Sequence, residues 1–296
     1  MESNEIIEQL NNLDLSLATE EDVISIIHQY GRAGAIITKL HETKTVDSTP
    51  HLFVRATNYD PKKEKISSTD RLRYPPIEYN TQYQRASTPD KPMFYGVVHK
   101  SAGQPDVNSA IRTCLLETIS DYDELLNSGS RVAISLRYNI SELNLYSVFG
   151  WKEFQSRNPK MRDINQSFME ALKHTEPESL KNTEHLLNYL AERFYIPVGE
   201  NADLYKPSAT LTQYLLEKMM PYGIDGIIFP STKVDGQELN VAINPITSDE
   251  KLVVTKVLDC EYKPNRIVEI QHRANIQYGS KEVNFSEEVK IEIDLK

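Results

Sequence analysis

QYQRASTPDKPMFYGVVHKSAGQPDVNSAIRTCLLE, residues 82–117, is the stretch from which the rest of the chain is read. Arg85 is followed by a short turn, and MFYGVV then reads as a strand carrying Tyr95. A polar loop leads to a helix beginning near Asn108, whose Ile111, Leu115 and Ile119 repeat along one apolar side. Glu117 lies three residues beyond Cys114 and four beyond Thr113, so it projects from a flank of that helix, back toward the strand. Working outward, HLFVRAT (residues 51–57) is a second short strand by its β-branched and aromatic content, with Arg55 inside it. Downstream, Ile227, Ile228 and Phe229 form a short buried run ending at Ser231. Asp235-Gly236 then supplies a turn into the strand of NVAINP, which carries Asn240.

The 296 residues suggest about two domains, or one large domain with appendages. Hydrophobic content of 39% with 26% charged residues is that of an ordinary soluble protein. A net charge of −10 argues against nucleic acid as a general partner, while Arg55, Arg71, Arg73 and Arg85 leave room for a local basic pocket. The two cysteines, Cys114 and Cys260, lack metal spacing, and a reduced core thiol is expected at Cys114. His174 and His185 are isolated and do not make a zinc site. No signal peptide, transit peptide or membrane-length apolar run occurs, so a cytoplasmic protein without membrane association is expected. GxxxxGK[ST], a post-strand GxGxxG, GxSxG and HExxH are all absent, which removes the common nucleotide-hydrolase, Rossmann, serine-hydrolase and zinc-protease readings. With only eleven glycines, any phosphate would be held by arginine side chains rather than by a backbone cradle.

The flanks are plainer. Residues 1–45 read as helical, with Thr19 capping, Asp22 three residues on, and a break near Gly31 and Gly34. The run from Asn58 to Pro89 is polar and then rich in Tyr, Pro and Arg; long loops of this kind are usually functional. Residues 151–195 read as two helices, LTQYLLEKMM as another, and VKIEIDL as a half-buried or edge strand. His99, just past the Tyr95 strand, reads as a surface histidine.

The run YQRASTPDKPMFYG, followed by TCLLE and later by IIFPS and NVAINP, resembles the RES-domain family, over roughly residues 48–250. Members are toxins of bacterial toxin–antitoxin pairs that degrade NAD. The resemblance implies an α+β fold with a split, mixed β-sheet core like that of ADP-ribosyltransferases, flanked by helices. The expected partition is an N-terminal helical segment (1–45), a catalytic domain (46–258, with a helical insertion at about 151–220) and a strand-like extension (259–296). Carried over by motif, Arg55 and Arg85 match the family's arginines, Glu117 its glutamate and Ser231 its serine, with Asn240 close by. The segment between Arg55 and Arg85 departs from the pattern and leaves open whether Arg71, Arg73 and Tyr74 face the ligand.

These residue types suit the chemistry. The nicotinamide of NAD departs as a neutral molecule, so no general acid is required, unlike ordinary glycosides with their two carboxylates. Glu117 would steady the cation developing on the ribose, and Arg55 and Arg85 would hold the pyrophosphate, with Arg73 and Tyr74 as further substrate contacts. Tyr95 offers an aromatic face for the cationic ring, and Ser231 a hydroxyl for the carboxamide or ribose. NAD is then the substrate, with no cofactor or metal; a cognate antitoxin is the expected partner and a homo-oligomer is open. Hydrolysis, phosphorolysis and ADP-ribosyl transfer to a macromolecule all stay open, as does a non-catalytic nucleotide-binding or interaction module. Residue by residue, Tyr95 also reads as core, Ser231 as a turn cap, and the arginines as partners of surface acids.

Overall fold

The computed structural model of the chain describes residues 3–32, 42–44, 51–100, 107–148, 176–196, 201–219 and 223–296, with Arg162, Gln166, Glu170 and Lys173. Ten strands are present in it: β1 (Glu42–Lys44), β2 (His51–Tyr59), β3 (Phe94–Lys100), β4 (Arg131–Asn139), β5 (Asn144–Ser147), β6 (Gly226–Pro230), β7 (Leu239–Ile243), β8 (Leu252–Lys263), β9 (Ile267–Asn275) and β10 (Glu287–Asp294). Among the described residues the helices are α1 (Ser3–Asn11), α2 (Glu20–Arg32), α3 (Val107–Thr118), α4 (Tyr122–Ser128), α5 (Pro177–Tyr195), α6 (Lys206–Met219) and α7 (Pro245–Lys251). The strands form one sheet in the order β1-β5-β6-β7-β3-β2-β4-β8-β9-β10. β5 runs parallel to β6 and the other pairings are antiparallel, so the fold is α+β with a mixed sheet.

Strand alternation sends successive side chains to opposite faces of the sheet, and the core divides accordingly. On one face, Leu52, Val54 and Ala56 of β2 and Val132, Ile134 and Leu136 of β4 pack under α3 and α4. On the same face, Ile227 and Phe229 of β6 and Ala242 of β7 lie beneath α1, α2, α5 and α6. The opposite face buries Phe53, Phe94, Val98, Ile228 and Val241. It also buries Ala133, Val257 and Ala274 against Ile66, Leu72 and Val283 from the loops that cross it. Each buried Val, Leu, Ile or Phe among them contributes about 1.5–3 kcal/mol by leaving water.

The expected split of the sheet takes a different form. β2 pairs with β4 from Leu52↔Tyr138 to Tyr59↔Arg131, but with β3 only from His51↔Lys100 to Val54↔Val97. β3 meanwhile stays paired with β7 from Phe94↔Ile243 to Val98↔Leu239. Hydrogen bonds therefore join the two halves at one end, and past Val54 and Val97 the strands diverge as a fork. Gly96 stands at the branch point, where a Cβ would lie 3.0 Å from the Val54 carbonyl.

Other expectations need correcting. A break in the N-terminal helical segment falls at residues 12–19, where Asp14 accepts from the Ser16 N–H (3.0 Å) and hydroxyl (2.6 Å) and turns the chain. Of the expected break near Gly31 and Gly34, Gly31 lies within α2 and Gly34 lies outside the described residues. Thr19 and Asp22 do cap α2, each accepting the other's backbone N–H, at 3.2 and 2.8 Å. Residues 42–44, expected helical, pair with β5 as an edge strand. No break accompanies the expected 258/259 boundary, since β8 runs through it and pairs with β4 from Leu252 to Glu261. The helices α5 and α6 of the expected insertion belong to the main core; most of residues 151–175 lies outside the described residues. His99, expected on the surface, is buried on β3. β10 takes the edge position expected for VKIEIDL, and Asp235 and Gly236 make their turn with φ of 51° and 74°. No helix among the described residues is long and apolar enough to cross a membrane.

The tight packing at Gly226 yields a direct test. A Cβ at Gly226 would stand 2.3 Å from the Ala242 carbonyl oxygen and 2.8 Å from the Ile243 Cα, both backbone atoms of the paired strand. Gly226→Ala is expected to cost about 1–3 kcal/mol of unfolding free energy, read from a shifted urea midpoint.

Candidate active site

Where β2 and β3 part, the backbone groups that would have paired need other partners. The Arg55 guanidinium supplies one: its Nη1 donates to the Tyr95 carbonyl at 2.9 Å, bridging the fork. Its Cζ also sits 5.6 Å from the Phe94 ring centroid. Burial pulls its proton affinity down to about 10, which still leaves the group charged at neutral pH. Behind it, Arg137 on β4 is 2% exposed and lies over the same Phe94 ring at 4.9 Å. Arg137 donates to the Leu72 carbonyl (2.7 Å) and the Ser135 hydroxyl (3.3 Å), and burial together with Arg55 lowers it to about 9.

Glu117 reaches the fork from the last turn of α3. Its Oε1 accepts from the Ser231 hydroxyl and from Asn240 Nδ2, both at 2.7 Å. Among the described residues Oε2 takes no hydrogen bond, and the residue lines the cleft. Ser231, immediately after β6, is fully buried, and its oxygen also accepts the Lys233 N–H at 3.3 Å. Its hydroxyl is thus committed to holding the carboxylate, rather than standing free for a ligand. Asn240 on β7 faces the cleft; the bond to Glu117 fixes which way its amide points, because the flipped rotamer would set oxygen against oxygen.

Arg85 forms the third corner. Its Nε donates to the Phe194 carbonyl at 2.8 Å and Nη2 to the Thr232 hydroxyl at 3.3 Å, while its Cζ lies 5.1 Å from the Tyr205 ring centroid. The turn that follows is pinned from two sides. Tyr95 Oη accepts the Ala86 N–H (2.9 Å) and bonds Ser87 Oγ (3.0 Å), and Gln213 of α6 donates to the Ala86 carbonyl (2.6 Å). Burial pushes the Tyr95 hydroxyl up to about 12, so it stays neutral and holds the Arg85 turn while its ring lines the cleft. Glu20 of α2 accepts from Tyr83 at 3.2 Å, which ties the N-terminal helices to the same wall.

These residues enclose a cleft of about 420 Å³, on the helix-covered face of the sheet, lined by Arg55, Arg85, Tyr95, Glu117 and Asn240. That volume is within the range of roughly 300–1,000 Å³ of small-molecule sites. Cys114 also lines it, but burial pushes its thiol up to about 12, and its Sγ–H donates to the Val54 carbonyl at 3.3 Å. Both cysteines are free and buried, and a neutral thiol here is not a nucleophile. Arg73 and Tyr74 lie elsewhere. They line a neighbouring cleft and are held by Asp249, through an Arg73 ion pair at 3.1 Å and a Tyr74 hydrogen bond at 2.9 Å.

Three residues of the site escaped the sequence reading. Tyr205 and Phe229 line the cleft, and Arg137 lies buried beneath the fork. Arg137 left a readable trace: in RVAISLRYNI, Ser135 and Arg137 occupy alternate positions of a strand whose other face is wholly apolar. Tyr205 left none, because its role is set by the distant Arg85. Among the described residues no group of three or more His, Cys, Asp or Glu is placed to hold a metal ion.

The electrostatic balance is unusual for an acidic chain. Arg71, Arg73, Arg131 and Arg273 pair with carboxylates, whereas among the described residues Arg55, Arg85 and Arg137 make no ion pair. A buried cation facing neutral partners is costly to the fold and attractive to an anion. Compared with known proteins, the chain matches no family model and no curated protein sequence. Arg55→Met, which keeps much of the packing but leaves the Tyr95 carbonyl without its donor, is expected to lower unfolding free energy by about 1–3 kcal/mol. An unchanged or raised unfolding free energy in urea would show instead that the desolvated charge costs the fold as much as its bridging bond returns.

Proposed function

We propose that the cleft at the fork binds NAD and cleaves the bond between nicotinamide and ribose. One observation carries the reading: among the described residues, a single carboxylate, oriented by two neutral donors, shares a cleft with two guanidiniums that make no ion pair. Phosphate chemistry fits the guanidiniums, because their planar forks donate paired hydrogen bonds to phosphate oxygens. The lone carboxylate fits a leaving group that needs no proton.

In this reading the pyrophosphate lies against Arg55 and Arg85, and the nicotinamide-bearing ribose faces Glu117 Oε2. As the carbon–nitrogen bond breaks, its electron pair returns to the pyridinium, which leaves neutral, and positive charge spreads over C1′ and the ring oxygen. Glu117 stabilises that charge; because Ser231 and Asn240 hold Oε1, the carboxylate reorganises little as the charge appears. Water then attacks C1′, releasing a proton and giving ADP-ribose; inorganic phosphate in its place gives the phosphorylated sugar. Tyr95 presents its ring to the departing pyridinium. NAD loss would arrest growth, so the reading also carries a partner protein that closes the cleft mouth in the producing cell.

The test follows nicotinamide release from NAD by the purified chain, with and without inorganic phosphate to separate the two acceptors. Glu117→Gln, which keeps the shape and removes the charge, is expected to slow release by about 100-fold or more. Arg85→Ala is expected to raise KM about tenfold. Unchanged kinetics in both variants would remove the proposal.

A further inference from the structure

Arg55 and Pro75 line not only the first cleft but a second, of about 690 Å³, whose floor is the opposite face of the sheet. Thr57, two residues along β2 and therefore on the same face as Arg55, lines it too. Arg55 Nε and Thr57 Oγ1 are both buried and have no hydrogen-bond partner among the described residues. Buried polar atoms without partners beside a cleft call for an explanation.

The other ionic groups of this cleft are matched. Arg71 donates to both oxygens of Glu64, each bond 2.8 Å, and Arg73 pairs with Asp70 (3.3 Å) and Asp249 (3.1 Å). The unmatched positive charge is concentrated at Arg55, with Arg137 buried behind it. At the rim, the Tyr79 side chain is 76% exposed on a short 3-10 turn that begins after Pro76. An exposed aromatic ring beside two prolines is a stacking platform without a partner in the fold.

We propose that this second cleft takes the adenosine 5′-phosphate half of the dinucleotide. Its phosphate meets Arg55, its base stacks on Tyr79, and the nicotinamide half passes through the fork to Glu117. The proposal rests on the NAD reading of the first cleft and adds a location for the rest of the molecule. It explains why one guanidinium opens onto both faces of the sheet: Arg55 stands where the pyrophosphate joins the two nucleotides. It also explains why the long segment between Arg55 and Arg85 is ordered by Glu64–Arg71 and Arg73–Asp249 pairs instead of trailing as a linker.

Calorimetric titration of the full chain with 5′-AMP and, separately, with nicotinamide mononucleotide tests it. AMP is expected to bind the wild type, to bind Tyr79→Ala about tenfold more weakly, and to bind Glu117→Gln unchanged. Nicotinamide mononucleotide is expected to be indifferent to Tyr79→Ala. Tyr79 is largely exposed, so the variant keeps its fold. Absence of AMP binding at millimolar concentration, AMP affinity indifferent to Tyr79→Ala, or AMP affinity lost with Glu117→Gln overturns the subsite. Nicotinamide release without AMP binding would remove the second cleft and keep the first; AMP binding without release would do the reverse.

Discussion

A single cation in the gap between two diverging strands organises this molecule. β2 and β3 begin as hydrogen-bonded neighbours and separate after Val54 and Val97, and the Arg55 guanidinium replaces the lost ladder with one bond to the Tyr95 carbonyl. Without a bridging donor at that point, strands leaving a twisted sheet would either re-pair and close the cleft or leave buried carbonyls unsatisfied. The bare Gly96 permits the close approach at the branch, and Phe94 gives the guanidinium an aromatic face to lie on.

Around that cation every stabilising contact is neutral. Among the described residues, carbonyls, hydroxyls and aromatic rings surround Arg55, Arg85 and Arg137, while carboxylates pair with other arginines such as Arg71 and Arg131. Carboxylates in their place would lower the energy of the folded chain and fill the sites that an anionic ligand needs. Glu117 is the exception inside the cleft, and it is held there by two neutral donors, not by an arginine. Charge separation of this kind is what the proposed NAD cleavage calls for, with an anionic pyrophosphate and a developing cation on the ribose.

The site's members were largely legible in the sequence, and their division of labour was not. Arg55, Arg85, Tyr95, Glu117 and Asn240 do line one cleft. Ser231 was read as a ligand contact through its hydroxyl, yet that hydroxyl holds Glu117; the Tyr95 ring lines the cleft as read, while its hydroxyl holds the Arg85 turn. Arg73 and Tyr74 were read into the same pocket; a residue's place in a loop does not reveal that Asp249, more than 170 positions away, draws it to another. Arg137 shows the opposite case, a polar residue in a central strand that alternation alone marks as unusual.

What the sequence determined by itself was local: the strands β2, β3, β6, β7 and β10, the helices α2, α3 and α6, the Asp235-Gly236 turn and the Thr19 cap, because periodicity and capping act within a few residues. It also determined, through its shortage of glycine and its missing phosphate loops, that side chains would have to hold any phosphate. Only the tertiary structure decided that β3 lies between β7 and β2, that their pairing stops at Val54, and that β8 to β10 extend the same sheet. Strand order and register depend on contacts between segments far apart in the chain, where no local preference reaches. The fork, and with it the cleft, exists only at that level.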